Sequence, residues 1–162
     1  MRGTWSPERR HRDVIVAEMM RILHPLFEQL PLGVREAAES VVETPECFFD
    51  ADDVARRARL SRRHLDRVFQ RAQFASAKQL VIACRAYTAI RLLASSAPGI
   101  DTAAKVVGYD GERGLRRHSD AIWHTGPRAA ATMPMEILQE KLVDFICNTM
   151  SDGPPDGEAS RY

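Results

Sequence analysis

Residues 58–71, ARLSRRHLDRVFQR, set five arginines and one histidine among Leu60, Leu65, Val68 and Phe69. At helical spacing Leu65, Val68 and Phe69 make one narrow apolar stripe, which leaves most of the helix circumference to charge. Guanidinium groups stay charged and present forked donors that match phosphate oxygens. Arg62 and Arg63 stand at the start of this segment, where the helix dipole opposes cations. Helix stability alone does not select such a cluster. What the spacing offers is a thin seam that grips the chain's own core beside a broad face for a polyanion.

The surrounding charge points the same way. Residues 1–50 hold 6 Lys and Arg against 9 Asp and Glu, residues 51–131 hold 15 against 7, and residues 132–162 hold 2 against 6. A net charge of +1 over 162 residues therefore conceals a basic middle between acidic flanks. A block of that density attracts a polyanion before any detailed contact forms. Other classes find little support. The sequence contains no phosphate-cradling glycine loop, HExxH pair or nucleophile elbow, so no enzyme and no catalytic residue is expected. Cys47, Cys84 and Cys147 lie far apart in no metal-ligand spacing and read as reduced thiols, with no metal and no cofactor expected. No apolar run reaches the ~18 residues of a membrane span. The opening MRGTWSPERRHRD lacks the apolar segment of a secretion signal, and a cytoplasmic location is expected.

Positioning these side chains requires helices, and helical periodicity dominates the chain. Ser6, Pro7 and Glu8 make a helix start of cap, proline and first-turn acid. Ile15, Met19, Ile22 and Leu26 follow as the expected buried stripe, with Pro25 as a kink or end. A short helix is expected over 35–43. Asp50 or Asp52 caps a helix through Val54, Ala55 and Ala58; a turn at Arg59 and Leu60 leads to Ser61, the cap of the arginine-rich helix. Residues 78–95 read as one long helix stopped by Pro98 and Gly99. Asp101 is the expected cap of the next, Gly108 turns the chain, and residues 112–123 form another helix, with Trp123 and His124 expected to pack beneath it. Leu138, Leu142 and Phe145 line a last amphipathic helix, and the tail SDGPPDGEASRY reads as disordered.

Sliding the sequence against itself exposes a repeat. Ala55 aligns with Ala104 and Leu60 with Tyr109 at an offset of 49; Leu65, Arg67 and Ser76 align with Leu115, Arg117 and Gly126 at 50. One residue has been added in the second turn. Each unit reads helix, tight turn, helix, with a small alanine where two helices cross. Gly108 supplies freedom for positive φ, where the first unit uses Arg59. The intervening helix, eighteen residues at 1.5 Å each, spans about 27 Å. Adjacent turns of one major groove lie about 34 Å apart, so a rigid rod of this length suits two readers entering successive grooves on one face of a duplex.

Residues 51–131 resemble the double helix-turn-helix DNA-binding domain of the AraC/XylS transcription regulators. The resemblance is carried by Ser61, Leu65, Arg67 and Phe69, by Arg85, Ala86, Ala89, Leu92 and Leu93, and by Ile100, Ala104, Gly108 and Tyr109; Leu115, Arg117 and Pro127 continue it in register. It implies an all-α fold of two helix-turn-helix units joined by a long linker helix, here with N- and C-terminal helical extensions. It implies base reading by Arg62, Arg63 and Asp66, phosphate contact or DNA orientation by Arg67, and groove-facing positions for Glu112, Arg113 and Arg116. Ser61, Arg71 and Arg117 complete the expected DNA-binding set. The chain departs from the family pattern at Thr102, Gly111, Ser119 and His124, and Asp110 and Glu112 bring acids where phosphates would approach.

The expected organisation is an N-terminal helical extension (1–48), the double helix-turn-helix domain (49–131), a C-terminal amphipathic helix (132–150) and a disordered tail (151–162). The expected function is a sequence-specific transcription regulator that binds double-stranded DNA, with too few residues ahead of the reader for a sensory β-barrel. Helices 7–30 and 134–148 are candidate surfaces for a homodimer or a protein partner, with no membrane. The competing expectation is a degenerate AraC-like protein-interaction module that no longer reads DNA, motivated by Ser119, His124 and the acids of the second unit.

Overall fold

Residues 77–96 form the helix around which the molecule is built. The computed structural model describes residues 7–96 and 98–147, and among these all regular structure is helical. In chain order the elements are α1 (Pro7–Phe27), α2 (Leu32–Glu43), a 3-10 turn (Pro45–Cys47), α3 (Ala51–Arg57), α4 (Arg62–Arg71), α5 (Ala77–Ser96), α6 (Ile100–Val106), α7 (Glu112–Trp123), α8 (Pro127–Ala131) and α9 (Met135–Cys147). The all-α plan of two helix-turn-helix units joined by a long helix is the one observed. The tail and the hydroxyl cap at Ser6 lie outside the described residues.

From Leu80 to Leu93 every residue of α5 except Ile82 and Arg91 is buried. A helix apolar on all sides has to be enclosed, and α5 touches each of the other helices and the 3-10 turn. Ala83, Ala86 and Ala89 keep its girth small enough for close neighbours on several sides. It is a core helix as well as the rod that joins the two units.

The extensions belong to that same core. In α1 the buried residues are Ile15, Met19, Leu23 and Phe27, in place of the expected Ile15, Met19, Ile22 and Leu26. They form one i, i+4 ridge, the row that packs against a crossing helix, while Ile22 and Leu26 flank it half-buried. Pro25 stays inside α1, which ends two residues later. Arg21, whose carbonyl loses its helical partner to the proline ring, is exposed, so solvent can serve it. α2 begins at Leu32, ahead of the expected Arg35, because Pro31 fixes the entering backbone at φ −55. Arg35 then reaches back to the carbonyls of Phe27, Glu28 and Leu30 at 3.2, 3.0 and 3.3 Å, which closes the corner between α1 and α2.

In α9 the buried set is Leu138, Leu142 and Ile146, and the expected Phe145 is half-buried. The amide of Ala75 donates to Ile146, and Trp123 Nε1 donates to the Leu138 carbonyl at 3.0 Å. Glu18 of α1 holds Arg91 of α5 by hydrogen bonds of 2.9 and 3.0 Å and accepts from the Tyr87 hydroxyl. Burial alone would raise the Glu18 carboxyl, but the bond and charge of Arg91, with the Tyr87 hydroxyl, outweigh it and hold it below its usual value. The apolar sides of α1 and α9 are thus used inside the chain.

Candidate nucleic-acid interface

The two units repeat in backbone detail. The amide of Leu60 donates to Ala55 at 2.9 Å, and that of Tyr109 donates to Ala104 at 3.0 Å, the same bond 49 residues on. Arg59 takes φ 57 and Gly108 takes φ 95, the left-handed turn residues that the alignment paired. Residues 58–61 separate the helices of the first unit and residues 107–111 those of the second, which locates the added residue in the second turn. Leu65 and Leu115 are fully buried at matching places.

In the first unit two side chains set the helix starts. Asp50 caps α3 by accepting from the Asp53 amide at 3.1 Å. Ser61 caps α4 by accepting from the His64 amide at 3.2 Å. That bond gives Ser61 a local task beside any contact with DNA. Leu65, Val68 and Phe69 turn inward, as their spacing predicts. Arg63, Arg67 and Arg71 are exposed and, among the described residues, have no carboxylate within ion-pair range. Arg62 differs: its Nε meets Asp66 at 3.1 Å and its Nη1 meets Asp52 at 3.5 Å, and the hydrogen bond to Asp66 raises its pKa. Two of the expected base readers, Arg62 and Asp66, therefore hold each other.

The second unit is capped differently. Gly99 and Gly111 precede α6 and α7 without side-chain caps. Asp101 is not the cap expected of it; it lies in the first turn of α6 and pairs with Lys105 at 2.8 Å. Its carboxylate also lies where a Cβ on Gly111 would stand only 3.2 Å from Oδ1. Glu112 faces Arg116 at 3.6 Å, while Arg113 and Arg117 are exposed and without an ion pair among the described residues. Ser119 is fully buried and donates to the Thr125 carbonyl at 2.8 Å. Trp123 packs beneath the unit as expected. His124 does not: it is exposed, at φ 56, the left-handed residue that ends α7.

His118 lies behind the exposed row. Its Nδ1 is 2.8 Å from the Tyr109 hydroxyl. Burial, then the charges of Arg117, Arg85 and Lys78, push its pKa down to about 4. It is neutral at pH 7, so Nδ1 can accept from the Tyr109 hydroxyl. Tyr109 is itself pushed up by burial. Gly114 leaves room for that ring, since a Cβ there would come within 2.9 Å of Tyr109 Cδ1.

The structure thus joins Arg62 to Asp66 and Asp52, and Glu112 to Arg116. Among the described residues no hydrogen bond or ion pair joins the α4 set to the α7 set; α5 lies between them as their common support. Sequence reading named Arg85 but gave it no task. It is 8% exposed, and its guanidinium donates to the carbonyls of Pro45 (3.1 Å), Gly108 (3.4 Å) and Phe48. The available signal was its isolation, the one charge between Lys78 and Arg91 in an apolar run. Among the described residues no group of His, Cys, Asp or Glu could hold a metal ion, and no helix is long and apolar enough to cross a membrane.

A protein-family model described as a helix-turn-helix domain, of the AraC type, matches residues 54–132. The match opens inside α3 and closes just after α8, so it takes in both units and the helix between them. No curated protein and no solved structure matches the chain.

Proposed function

From the premise that residues 54–132 are a helix-turn-helix domain of the AraC/XylS regulators, we propose that this chain is a sequence-specific regulator that reads double-stranded DNA chiefly through α4. Such domains are DNA-binding and regulatory rather than catalytic. The observation that carries the proposal is the face of α4, where Arg63, Arg67 and Arg71 are exposed and, among the described residues, unpaired beside the buried seam of Leu65, Val68 and Phe69. A reading helix lies in the major groove with its N-terminal residues at base edges. Arg63 is the base reader on that geometry, Arg67 and Arg71 contact phosphates, and Ser61 fixes the start of the helix. Arg62 and Asp66 act as a pair that opens when phosphate competes for the guanidinium. In α7, Arg113 and Arg117 meet the backbone, and the Glu112–Arg116 pair stays closed. The cytoplasm is the corresponding site of action. A homodimer or a protein partner would use the outer faces of α1 and α9, because the inner faces are occupied.

Titrating the chain into random duplex at several salt concentrations tests the first step. Neutralising about 6 phosphates gives a log–log slope near −5. Selection from random DNA tests the second: Arg63→Ala relaxes sequence preference, whereas Arg71→Ala weakens all duplexes alike. Unchanged preference in Arg63→Ala refutes the assignment. No binding even at low salt favours a protein-interaction module, a reading supported by the acids Asp110 and Glu112 at the start of α7.

A further inference from the structure

Arg85 is a buried cation with no carboxylate partner among the described residues. Removing a guanidinium from water is costly unless its donors are met, and here three backbone carbonyls meet them. Two of these, from Pro45 and Phe48, belong to the segment leading into α3; the third, from Gly108, belongs to the turn between α6 and α7. The guanidinium carbon also lies 5.8 Å from the Phe49 ring centre and 6.0 Å from that of Tyr109. One side chain of the central helix therefore holds the doorway of the first unit and the elbow of the second.

The packing around it is close on every side. A Cβ on Gly108 would stand 3.3 Å from Arg85 Cζ and 3.3 Å from Glu46 Cα, so the elbow lies directly against the 3-10 turn. Glu46 is held in turn by an ion pair with Arg12 of α1. The clamped carbonyls lie close in sequence to α3, which leads into the first reader, and to α7 itself. Phe48 precedes the α3 cap Asp50 by two residues, and Gly108 precedes the α7 cap Gly111 by three.

We infer that Arg85 is a positioning residue that sets the spacing and mutual orientation of α4 and α7, with the segment Pro45–Phe48 as a working part of the same gauge. The inference rests on the proposed DNA reading for its use, but not for its geometry. A guanidinium suits this task because its donors form a fixed planar fork, which transmits the position of one carbonyl to the next. Lysine offers a single rotatable ammonium and cannot hold three carbonyls in one plane.

The test measures the gauge with and without DNA. Spin labels at Gln70→Cys and Asp120→Cys, both exposed sites outside the proposed contacts, report the α4–α7 distance in a chain carrying Cys47→Ser and Cys147→Ser. Cys84 is fully buried with its thiol pKa pushed up by burial, so it stays unlabelled. The native Arg85 gives one narrow distance distribution; Arg85→Ala broadens it, and Arg85→Lys, which keeps the charge and most of the volume, broadens it too. On the selected operator, inserting one base pair between the two half-elements costs the native chain about tenfold in affinity, the size of one lost base contact. The variants lose that spacing dependence while binding the isolated first half-element as before. A folded Arg85→Lys with a distribution as narrow as the native one, or with the native spacing dependence, overturns the inference. If the native chain binds no duplex, the DNA reading fails and the distances alone decide the clamp.

Discussion

In the first unit Arg62 leads and Asp66 answers one helical turn later; in the second, Glu112 leads and Arg116 answers at the equivalent positions. The same i, i+4 pair occurs with its signs exchanged. The order acid then base suits the helix dipole, and base then acid opposes it. α7 is thereby stabilised as a helix and its first turn is partly neutralised. α4 carries Arg62 and Arg63 at the wrong end for its own stability, which is the right end for a polyanion. The interiors differ in the same sense. Phe69 fills the first unit, meeting Phe74 edge-on at 5.4 Å, while the matching Ser119 fills the second with a hydrogen bond and leaves the bulk to Trp123. One backbone, built twice, carries the denser cationic face in the first copy and a face balanced by more acid in the second.

The largest test of that contrast is in the core. Phe69→Ala empties a fully enclosed site and costs about 3–5 kcal/mol, as large-to-small aromatic changes do. Ser119→Ala leaves only the Thr125 carbonyl without its donor, a loss of about 1–3 kcal/mol. Denaturant unfolding of both variants measures the difference, and equal losses would break the comparison.

Next comes the charge. Arg63→Ala removes about 1–3 kcal/mol of discrimination at one base position, the usual worth of a bidentate base contact. Arg113→Ala, beside the closed Glu112–Arg116 pair, lowers affinity for every duplex by less than that and leaves preference intact. Competition binding on the selected operator and on single-base variants separates the two. If Arg113→Ala relaxes preference as much as Arg63→Ala does, both units read bases.

The turns come third. Gly108→Ala meets a left-handed backbone together with contacts of 3.3 Å to Arg85 and to Glu46, and costs about 1–3 kcal/mol. Arg59→Gly relieves the equivalent strain at φ 57 but frees the unfolded chain, so stability moves by less than about 1 kcal/mol. Thermal melts of the pair give the sign.

These contrasts also mark where the sequence was legible. Local signals carried far: Asp50, one of the two expected caps of α3, and Ser61 cap their helices, α7 has its expected limits, and the repeat fixed the left-handed residue of each turn. Misreadings arose where a second element makes the choice. The apolar run of α1 contains two neighbouring stripes, and packing against α2, α5 and Phe74 buries Leu23 and Phe27 ahead of Ile22 and Leu26. The same holds for Ile146 over Phe145 in α9. At Asp101 the signal was ambiguous, because an acid in a first turn resembles a cap in sequence. The roles of Arg85 and Ser119 were not legible, although its isolation in an apolar run marked Arg85 as unusual. Each is fixed by carbonyls that the fold brings in, those of Pro45 and Gly108 for Arg85 and that of Thr125 for Ser119, and no local pattern records them. The cationic face of α4 was legible because exposure leaves side-chain type as the only signal required.

The smallest difference vanishes at neutral pH and emerges on acidification. His118 occupies the place that Val68 holds in the first unit, and its pKa in the folded chain is lowered from 6.5 to about 4, first by burial and then by Arg117, Arg85 and Lys78. As pH falls from 6.5 towards 4 the unfolded chain takes up the proton that the folded chain refuses, so stability declines across that window and this contribution stops changing below it. Protonation would also turn Nδ1 from acceptor to donor against the Tyr109 hydroxyl. Glu18 acts lower: its carboxyl is held below the usual 4.5, so its contribution is complete above that value and is lost only as pH falls through the folded pKa. His118→Val, which gives the second unit the residue of the first, therefore flattens the melting temperature between pH 6.5 and 4.5 and leaves the loss that sets in below 4.5, whereas Glu18→Gln reduces that lower loss, to which Asp53 still contributes, and leaves the upper slope. A His118→Val chain that keeps the native slope above pH 4.5 would show that the acid sensitivity lies elsewhere, and that the two copies respond to protons alike.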